Sequence, residues 1–411
     1  MMCPGLTPTH VGSRRLPSSG SYSEQGEEHE HAYPDPWGDE GACPASEDEI
    51  LALADAAFPS RSPHVPFGRG HDCAELVALA RDDAGRPAPV SNFFLQDAEM
   101  SAQAAELLLQ DAGRSALSAD LFLQDVHFRT DYFLPEEAGG KALSAAVGDL
   151  AAAGAVPLGF ALGLMLPPGT TSCTLARIFS GMAAKARDYG IVLAGGDLSA
   201  SPILGFAVTV WGAPAGAGVP FLRRGCAAEG DVVFVIGPCG LARAGLWALE
   251  RGGRKAADML PASCRAHLDP RPLLREGRAL ALIAQEKGAE GRLSLMDVSD
   301  GPARDLPRLL GGLGADITVG PELLHAELAE AAERMGTSPE ELYLLGGEDY
   351  ALLGTCPETL WPDVRAAVPG ASRLGRVRRE SGLLLCGRPF TARGFDHFSD
   401  AAGRTQEVRR P

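Results

Sequence analysis

The sequence predicts an α/β (α+β) fold built as two domains, and three observations carry that prediction. The chain has 411 residues, which at about 100–200 residues per domain makes two domains the expectation. From Lys141 onward helical and extended patterns alternate, the signature of helices packed on sheets. Residues 212–220 are rich in Gly and Pro and separate two apolar runs, which marks a boundary between the domains.

Taken in order, residues 1–45 are rich in Ser, Gly, Pro, Glu and His and cannot recoup the entropy of ordering by burial. They are expected to form a disordered acidic tail in which His29 and His31 are simply solvated. Folded structure is expected from Ser46, where S-E-D-E followed by Ile50, Leu51, Leu53 and Ala54 has the form of a capped amphipathic helix. Between about 76 and 117 lies an expected insertion. There Leu95-Gln96-Asp97 and Leu109-Gln110-Asp111 precede Leu123-Gln124-Asp125 at a spacing of 14, compatible with a helical hairpin but weak as a repeat signal. Lys141–Ala153 reads as an Ala-rich helix, Leu158–Leu166 as a buried strand and Ser172–Tyr189 as a helix capped in its first turn. Ile191–Leu193 reads as a short strand ending at Gly195-Gly196, and Ile203–Trp211 as a further apolar strand. Past the boundary, Asp231–Ile236 is strand-like, and Gly237-Pro238-Cys239-Gly240 turns into a helix over Leu241–Arg251. The expected domains are 46–214 and 215–400, followed by a flexible tail at 401–411.

Composition narrows the function. With 45% hydrophobic and 22% charged residues the chain can bury a core. A net charge of −16 argues against nucleic acid or an anionic membrane surface as partner, because both repel such a surface. A protein of this charge that handles phosphates needs metal ions. The nine cysteines are scattered without one C-x-x-C, so neither a zinc cage nor a disulfide framework is indicated, and a reducing cytosol is the expectation. The longest apolar stretch, Ala151–Pro168, is interrupted by Pro157 and makes a poor membrane span. No apolar signal-peptide core occurs near the N-terminus, so the protein is expected to be soluble and cytoplasmic.

The chemistry lies in aspartates placed at strand ends and turns: Asp72 in G-H-D-C-A, Asp120 in S-A-D-L-F-L-Q-D-V-H-F, Asp149 in V-G-D-L-A-A-A-G-A, Asp197 in A-G-G-D-L-S, and Asp297 and Asp300 in M-D-V-S-D-G. Singly, an aspartate beside glycine usually makes a turn or caps a helix. Six carboxylates embedded in apolar runs would repel one another unless cations held them. Oxygen ligands without neighbouring Cys or paired His select Mg²⁺ or Mn²⁺, and Mg²⁺ held this way keeps positions open for phosphate oxygens. A nucleoside triphosphate is the natural ligand, and phosphoryl transfer over several metal ions the sharpest hypothesis. No G-x-x-x-x-G-K-[ST] loop is present; Gly139-Gly140-Lys141-Ala142 fails in spacing and in its last residue.

Seven strings fall in register with one family: S-A-D-L-F-L-Q-D-V-H-F, G-G-K-A-L-S-A-A-V-G-D-L-A-A-A-G-A-V-P, A-G-G-D, L-R-R-G-C-A-A-E-G-D, M-D-V-S-D-G, L-G-G-E-D-Y-A-L-L and G-F-D-H-F. In order and spacing the chain resembles thiamine-monophosphate kinase over about residues 46–400, outside the insertion. That family belongs to the ATP-binding superfamily of aminoimidazole ribonucleotide synthetase, selenophosphate synthetase and a hydrogenase-maturation protein. The resemblance implies a two-domain synthetase-like fold, with an N-terminal sheet domain that dimerises and a C-terminal α/β domain. It also implies ATP and thiamine monophosphate as partners, several Mg²⁺ ions, and a homodimer.

The resemblance further implies roles residue by residue. Asp72, Asp120, Asp149, Asp197, Asp297 and Asp300 match magnesium ligands, with Ser118 adding an oxygen. Gly196, Asp197, Arg224 and Ser299 match positions at ATP. His127, which by itself reads as a core histidine on a strand, matches a residue at the substrate, as do Glu348 of G-G-E-D-Y and Phe395. The chain departs from the family pattern at His71, Ala119, Ala146 and Leu198, where it lacks a carboxylate, hydroxyl or amide. The implied reaction is direct transfer from ATP to thiamine monophosphate without a covalent enzyme intermediate. The alternatives are another ATP-using enzyme of the superfamily, or a non-catalytic relative that binds nucleotide or thiamine phosphate.

Overall fold

The computed structural model describes residues 35–38, 47–58 and 114–390. Asp72, Phe395, His71 and most of the expected insertion lie outside the described residues. Two sheets organise the rest. Strands β1 (Ala116–Leu123), β2 (Val156–Leu166), β3 (Val192–Ala200) and β4 (Gly205–Ala213) form a four-stranded sheet in the order β1-β4-β2-β3. Its pairs are antiparallel except β2 with β3, which run parallel across an intervening helix. The second sheet has seven strands: β5 (Val232–Ile236), β6 (Ser294–Asp297), β7 (Gly314–Ile317), β8 (Leu352–Cys356), β9 (Ala371–Arg378), β10 (Gly382–Leu385) and β11 (Arg388–Phe390). Their order is β11-β10-β7-β9-β5-β8-β6. The step from one sheet to the other falls between 213 and 232, where the Gly/Pro-rich run lies.

Helix α1 (Glu47–Ala57) starts where the S-E-D-E signal places it. Helix α2 (Pro135–Ala152) begins six residues before the expected Lys141, because Pro135 occupies its first turn and the Glu137 carboxylate accepts the Leu134 N–H at 2.8 Å. It is buried on nearly every face, as its Ala, Gly, Leu and Val content requires. One side lies on β1, β4 and helix α3 (Ser172–Tyr189); the other reaches β6 and helix α6 (Leu274–Glu286) of the second half. α2 therefore joins the two sheets. Helix α3 has the limits the sequence predicts, capped by the Thr171 hydroxyl on the Thr174 N–H and closed by Gly190 at φ 69°. It approaches α2 so closely that a Cβ at Gly181 would collide with the Glu136 carbonyl.

The remaining helices are α4 (Leu241–Gly252), α5 (Pro261–Leu268), α7 (Pro302–Leu310), α8 (Ala326–Met335), α9 (Pro339–Leu345) and α10 (Trp361–Ala367). Side chains of α2, α3, α4, α5 and α8 share one hydrophobic cluster with the four-stranded sheet, so the core is continuous across the halves. The longest helices, α2 and α3, have 18 residues each, and among the described residues none is long and apolar enough to cross a membrane.

Four expectations need correction. The strand at Ile191–Leu193 continues to Ala200, because Gly195 and Gly196 sit inside β3 and pair with β2 instead of ending it. β1 begins at Ala116, so the last two residues of the expected insertion are strand. The third L-Q-D copy, Leu123-Gln124-Asp125, ends a strand and opens a turn, with no helix there. Residues 35–38, inside the tail expected to be disordered, are held in place: Trp37 donates to the Phe133 carbonyl at 2.6 Å, and Asp35 accepts the Thr171 N–H at 2.8 Å.

Candidate functional site

A cleft of about 940 Å³ opens where β1, α2, α4 and the end of β6 meet. Asp120, Asp149, Asp297, Asp300, Arg224, Ser299, His127 and Glu348 all line it. Eight of the positions singled out in the sequence are thus brought together from segments up to 228 residues apart.

Each carboxylate is delivered by a distinct device. Asp120 projects from β1 opposite Val208 of β4, on the face turned toward α2. Ser118, two residues earlier and so on the same face, donates its hydroxyl to Asp149 in the last turn of α2. Asp297 ends β6 opposite Leu352 of the neighbouring β8 and is buried. Burial, and then the charge of Asp149, push Asp120 up to about 6. Asp297 is pushed up to about 7 by burial first and then by Asp149, Asp305 and Asp120. These carboxylates feel one another through a poorly hydrated space, and a cation among them would relieve the repulsion.

Asp300 precedes α7 and is engaged by two arginines, Arg308 at 2.7 Å and Arg304 at 3.6 Å. Asp305 reaches back to accept the N–H groups of Asp300 and Gly301 at 3.0 and 3.1 Å, which ties the turn carrying Asp300 to the start of the helix. Arg308 and Arg224 both line the cleft.

His127 is placed by a turn and not by a strand, which corrects the sequence expectation. β1 ends at Leu123, the His127 N–H returns to the Leu123 carbonyl at 2.8 Å, and His127 Nδ1 accepts the Leu123 N–H at 3.0 Å. The turn requires Asp125 at φ 63°. The ring also stacks on Phe122, with centroids 5.7 Å apart.

Glu348 stands in the loop between α9 and β8. Both Glu348 and Tyr350 adopt left-handed backbone, φ 63° and 49°, a conformation that costs non-glycine residues free energy and persists only where the surroundings over-determine it. Here the Glu348 N–H is bound by the Ser299 carbonyl at 2.8 Å and the Tyr350 N–H by the Val298 carbonyl at 3.0 Å. Glu348 Oε2 meets Lys141 Nζ at 3.1 Å and His267 Nδ1 at 3.2 Å. Burial alone would raise the Glu348 carboxyl, but the Lys141 charge and the His267 contact outweigh it and hold the group well below the usual carboxylate range. Next to it, Asp349 accepts the N–H groups of Gly240 and Ala242 at 2.6 and 2.9 Å and caps α4 from a distance.

Asp197 and Gly196 are not brought to the cleft. They lie on β3, the far edge of the four-stranded sheet from β1, about 14 Å away at the usual strand spacing. The register also puts Asp197 in the row of Gly163, Ala207 and Leu121, the exposed face, whereas Asp120 belongs to the opposite face. Gly196 has a structural reason of its own, since a Cβ there would collide with the Leu162 carbonyl.

The sequence reading missed Lys141, His267 and Arg308. Lys141 was visible only as part of a failed phosphate loop; a lone lysine in a helix whose other interior residues are Ala, Gly, Leu, Ser and Val was the available signal. For His267 there was none.

Among the described residues no three His, Cys, Asp or Glu side chains close on a single point tightly enough to hold an ion. The oxygen-only set of Asp120, Asp149, Asp297 and Asp300 still fits Mg²⁺, which typically takes one or two carboxylates and completes its shell with water and phosphate oxygens.

Residues 101–213 match the family model of AIR synthase related protein, N-terminal domain. HypE of E. coli, a hydrogenase maturation protein, superposes with a TM-score of 0.60 over 85% of this chain and 97% of its own at 20% identity, a likeness of fold. The chain thus has the two-domain AIR synthase-related fold. Thiamine-monophosphate kinase of Aquifex aeolicus is 30% identical over 275 residues, 66% of this chain and 84% of that protein. The Mycobacterium tuberculosis protein of the same name is 32% identical over 60% of this chain and 72% of its own. The solved structure of AaThiL complexed with AMPPCP and TMP matches with a TM-score of 0.61 at 30% identity, over 69% of this chain and 87% of that one. The chain belongs to the thiamine-monophosphate kinase family.

Proposed function

We propose that this protein transfers the γ-phosphoryl group of ATP to thiamine monophosphate, giving ADP and thiamine diphosphate, and so serves thiamine biosynthesis. The observation that carries the reading is the convergence of Asp120, Asp149, Asp297 and Asp300 with Arg224, Ser299, His127 and Glu348 on one cleft, in a chain similar to enzymes of that name.

The attacking group is a phosphate oxygen of the substrate. With a second pKa of about 6 it is already largely ionised at neutral pH, so no general base is required and the work is alignment and charge compensation. Arg224 and Arg308 supply positive charge to the cleft, and Ser299 offers a hydroxyl there. His127, with Nδ1 accepting the Leu123 N–H, would carry its proton on Nε2, the nitrogen that can donate to a phosphate oxygen. Glu348, held ionised, offers a counter-charge to the cationic thiazolium ring of the substrate. Asp120, Asp149, Asp297 and Asp300 would hold Mg²⁺, with Ser118 fixing Asp149. The metal, when bound, neutralises phosphate charge that the two anions would otherwise set against each other.

The same reading places the protein in the cytoplasm as a homodimer. β1 leaves Leu117 and Leu121 exposed at 70% and 59% on the outer face of the sheet, an apolar edge of the kind proteins cover. Asp197 and Gly196 lie away from the cleft and are left out of one chain's ligand set.

The test is product formation: the purified protein with ATP, Mg²⁺ and thiamine monophosphate should yield thiamine diphosphate and ADP in equal amounts. ATP consumption without thiamine diphosphate would contradict the reading.

A further inference from the structure

Lys141 has no exposed surface, and its ammonium sits between Glu348 Oε2 at 3.1 Å and the rings of Phe133 and Phe122, with centroids at 5.4 and 5.8 Å. His267, also buried, brings Nδ1 to the same Glu348 oxygen at 3.2 Å. The three residues come from α2, α5 and the loop before β8, so the cluster is assembled only when both halves of the molecule are folded together. Glu348 itself remains 27% exposed and lines the cleft, and among the described residues nothing engages its second oxygen, Oε1.

Stability does not account for this arrangement. Desolvating an ammonium and a carboxylate costs about what their attraction returns, and well-packed apolar residues of similar volume usually serve as well or better. A methionine at 141 would find Phe122 and Phe133 already in place. The loop also holds Glu348 in left-handed backbone, a further cost met only to put its carboxylate at this point. Burial and the neighbouring Lys141 charge keep His267 neutral, so it donates to Glu348 from Nδ1–H. That fixes its tautomer and fixes the carboxylate from a second direction.

We propose that Lys141 and His267 are positioning residues that pin Glu348 Oε2 to the cleft wall, so that Oε1 is presented to the cationic end of thiamine monophosphate. The inference rests on the functional reading above and adds to it the residues that set affinity for the thiamine moiety, separate from those that bind phosphate.

Binding of thiamine monophosphate and of a non-hydrolysable ATP analogue is measured by calorimetry for the wild type, K141M, E348Q and the double variant, together with KM for each substrate. K141M is expected to weaken thiamine monophosphate binding about 10- to 100-fold and raise its KM in step. ATP-analogue affinity and the KM for ATP should stay within about 3-fold. In the E348Q background K141M should cost less than about 2-fold, because its effect passes through Glu348, and K141R should recover part of the loss. If K141M does not fold, H267F carries the test, with a smaller loss confined to thiamine monophosphate. Equal loss of both ligands, no loss, or an undiminished loss in the E348Q background would overturn the inference. A wild type that does not bind thiamine monophosphate overturns the functional reading as well, whereas wild-type binding without a selective loss overturns this inference alone.

Discussion

Among single side chains, Asp297 carries the most specific expectation. It is buried at the end of β6, and its carboxyl is raised by that burial and then by three neighbouring carboxylates, the surroundings in which the proposed cation would act. Asp297→Asn should fold normally, as judged by its thermal transition, while turnover falls by at least about 100-fold; near-normal turnover would remove it from the ligand set. Asp349 tests electrostatics away from the proposed metal ligands. Burial pushes its carboxyl up to about 7 in the folded protein, against about 3.9 in an unfolded chain. The native state therefore holds the proton more tightly, and this contribution to stability is complete below about pH 4 and lost as pH rises through 7. The melting temperature should fall from pH 5 to pH 8, and Asp349→Asn should flatten part of that fall; an unchanged slope would show that Asp349 is not its source. The sequence disclosed the aspartates because each stands in an apolar or Gly-rich string. It did not disclose the Lys141 cluster, whose members lie 126 and 207 positions from the lysine, a separation over which no local pattern can speak.

For elements, legibility followed how far local chemistry decides the structure. Ser172–Tyr189 was readable to the residue because Thr171 and Gly190 cap it from within the sequence. β3 was underestimated because Gly195-Gly196 is a stop signal for an isolated strand, whereas pairing with β2 carries the backbone through. His127 was misplaced for a related reason: the turn after Leu123 is held by the histidine's own ring nitrogen, which the apolar neighbours Val126 and Phe128 conceal. The α2–α3 crossing yields a direct stability test. Because any Cβ at Gly181 meets the Glu136 carbonyl, Gly181→Ala should destabilise by about 1–3 kcal/mol despite alanine's better helix propensity, measurable by denaturant unfolding. A stabilised variant would show that the helices are free to part.

On the scale of the whole molecule, α2 explains why the cleft lies where it does. It carries Asp149 and Lys141 on a helix packed against both sheets, so β1 of the first half and β6 of the second reach the same space. The passage from one sheet to the other coincides with the Gly/Pro run, a local feature that the sequence displays; the packing of the halves through α2 was not legible, since that depends on contacts between distant segments. ATP with Mg²⁺ should raise stability by about 2.7 kcal/mol at 100 times its dissociation constant, and ATP with a chelator by much less; equal shifts in a thermal melt would count against metal-bridged phosphate binding. The central claim is tested most directly by following label from [γ-³²P]ATP in the presence of thiamine monophosphate and Mg²⁺. The label should be recovered in thiamine diphosphate, at a rate that collapses in Asp297→Asn. Label recovered only as inorganic phosphate, or an equal rate in both proteins, would contradict the account.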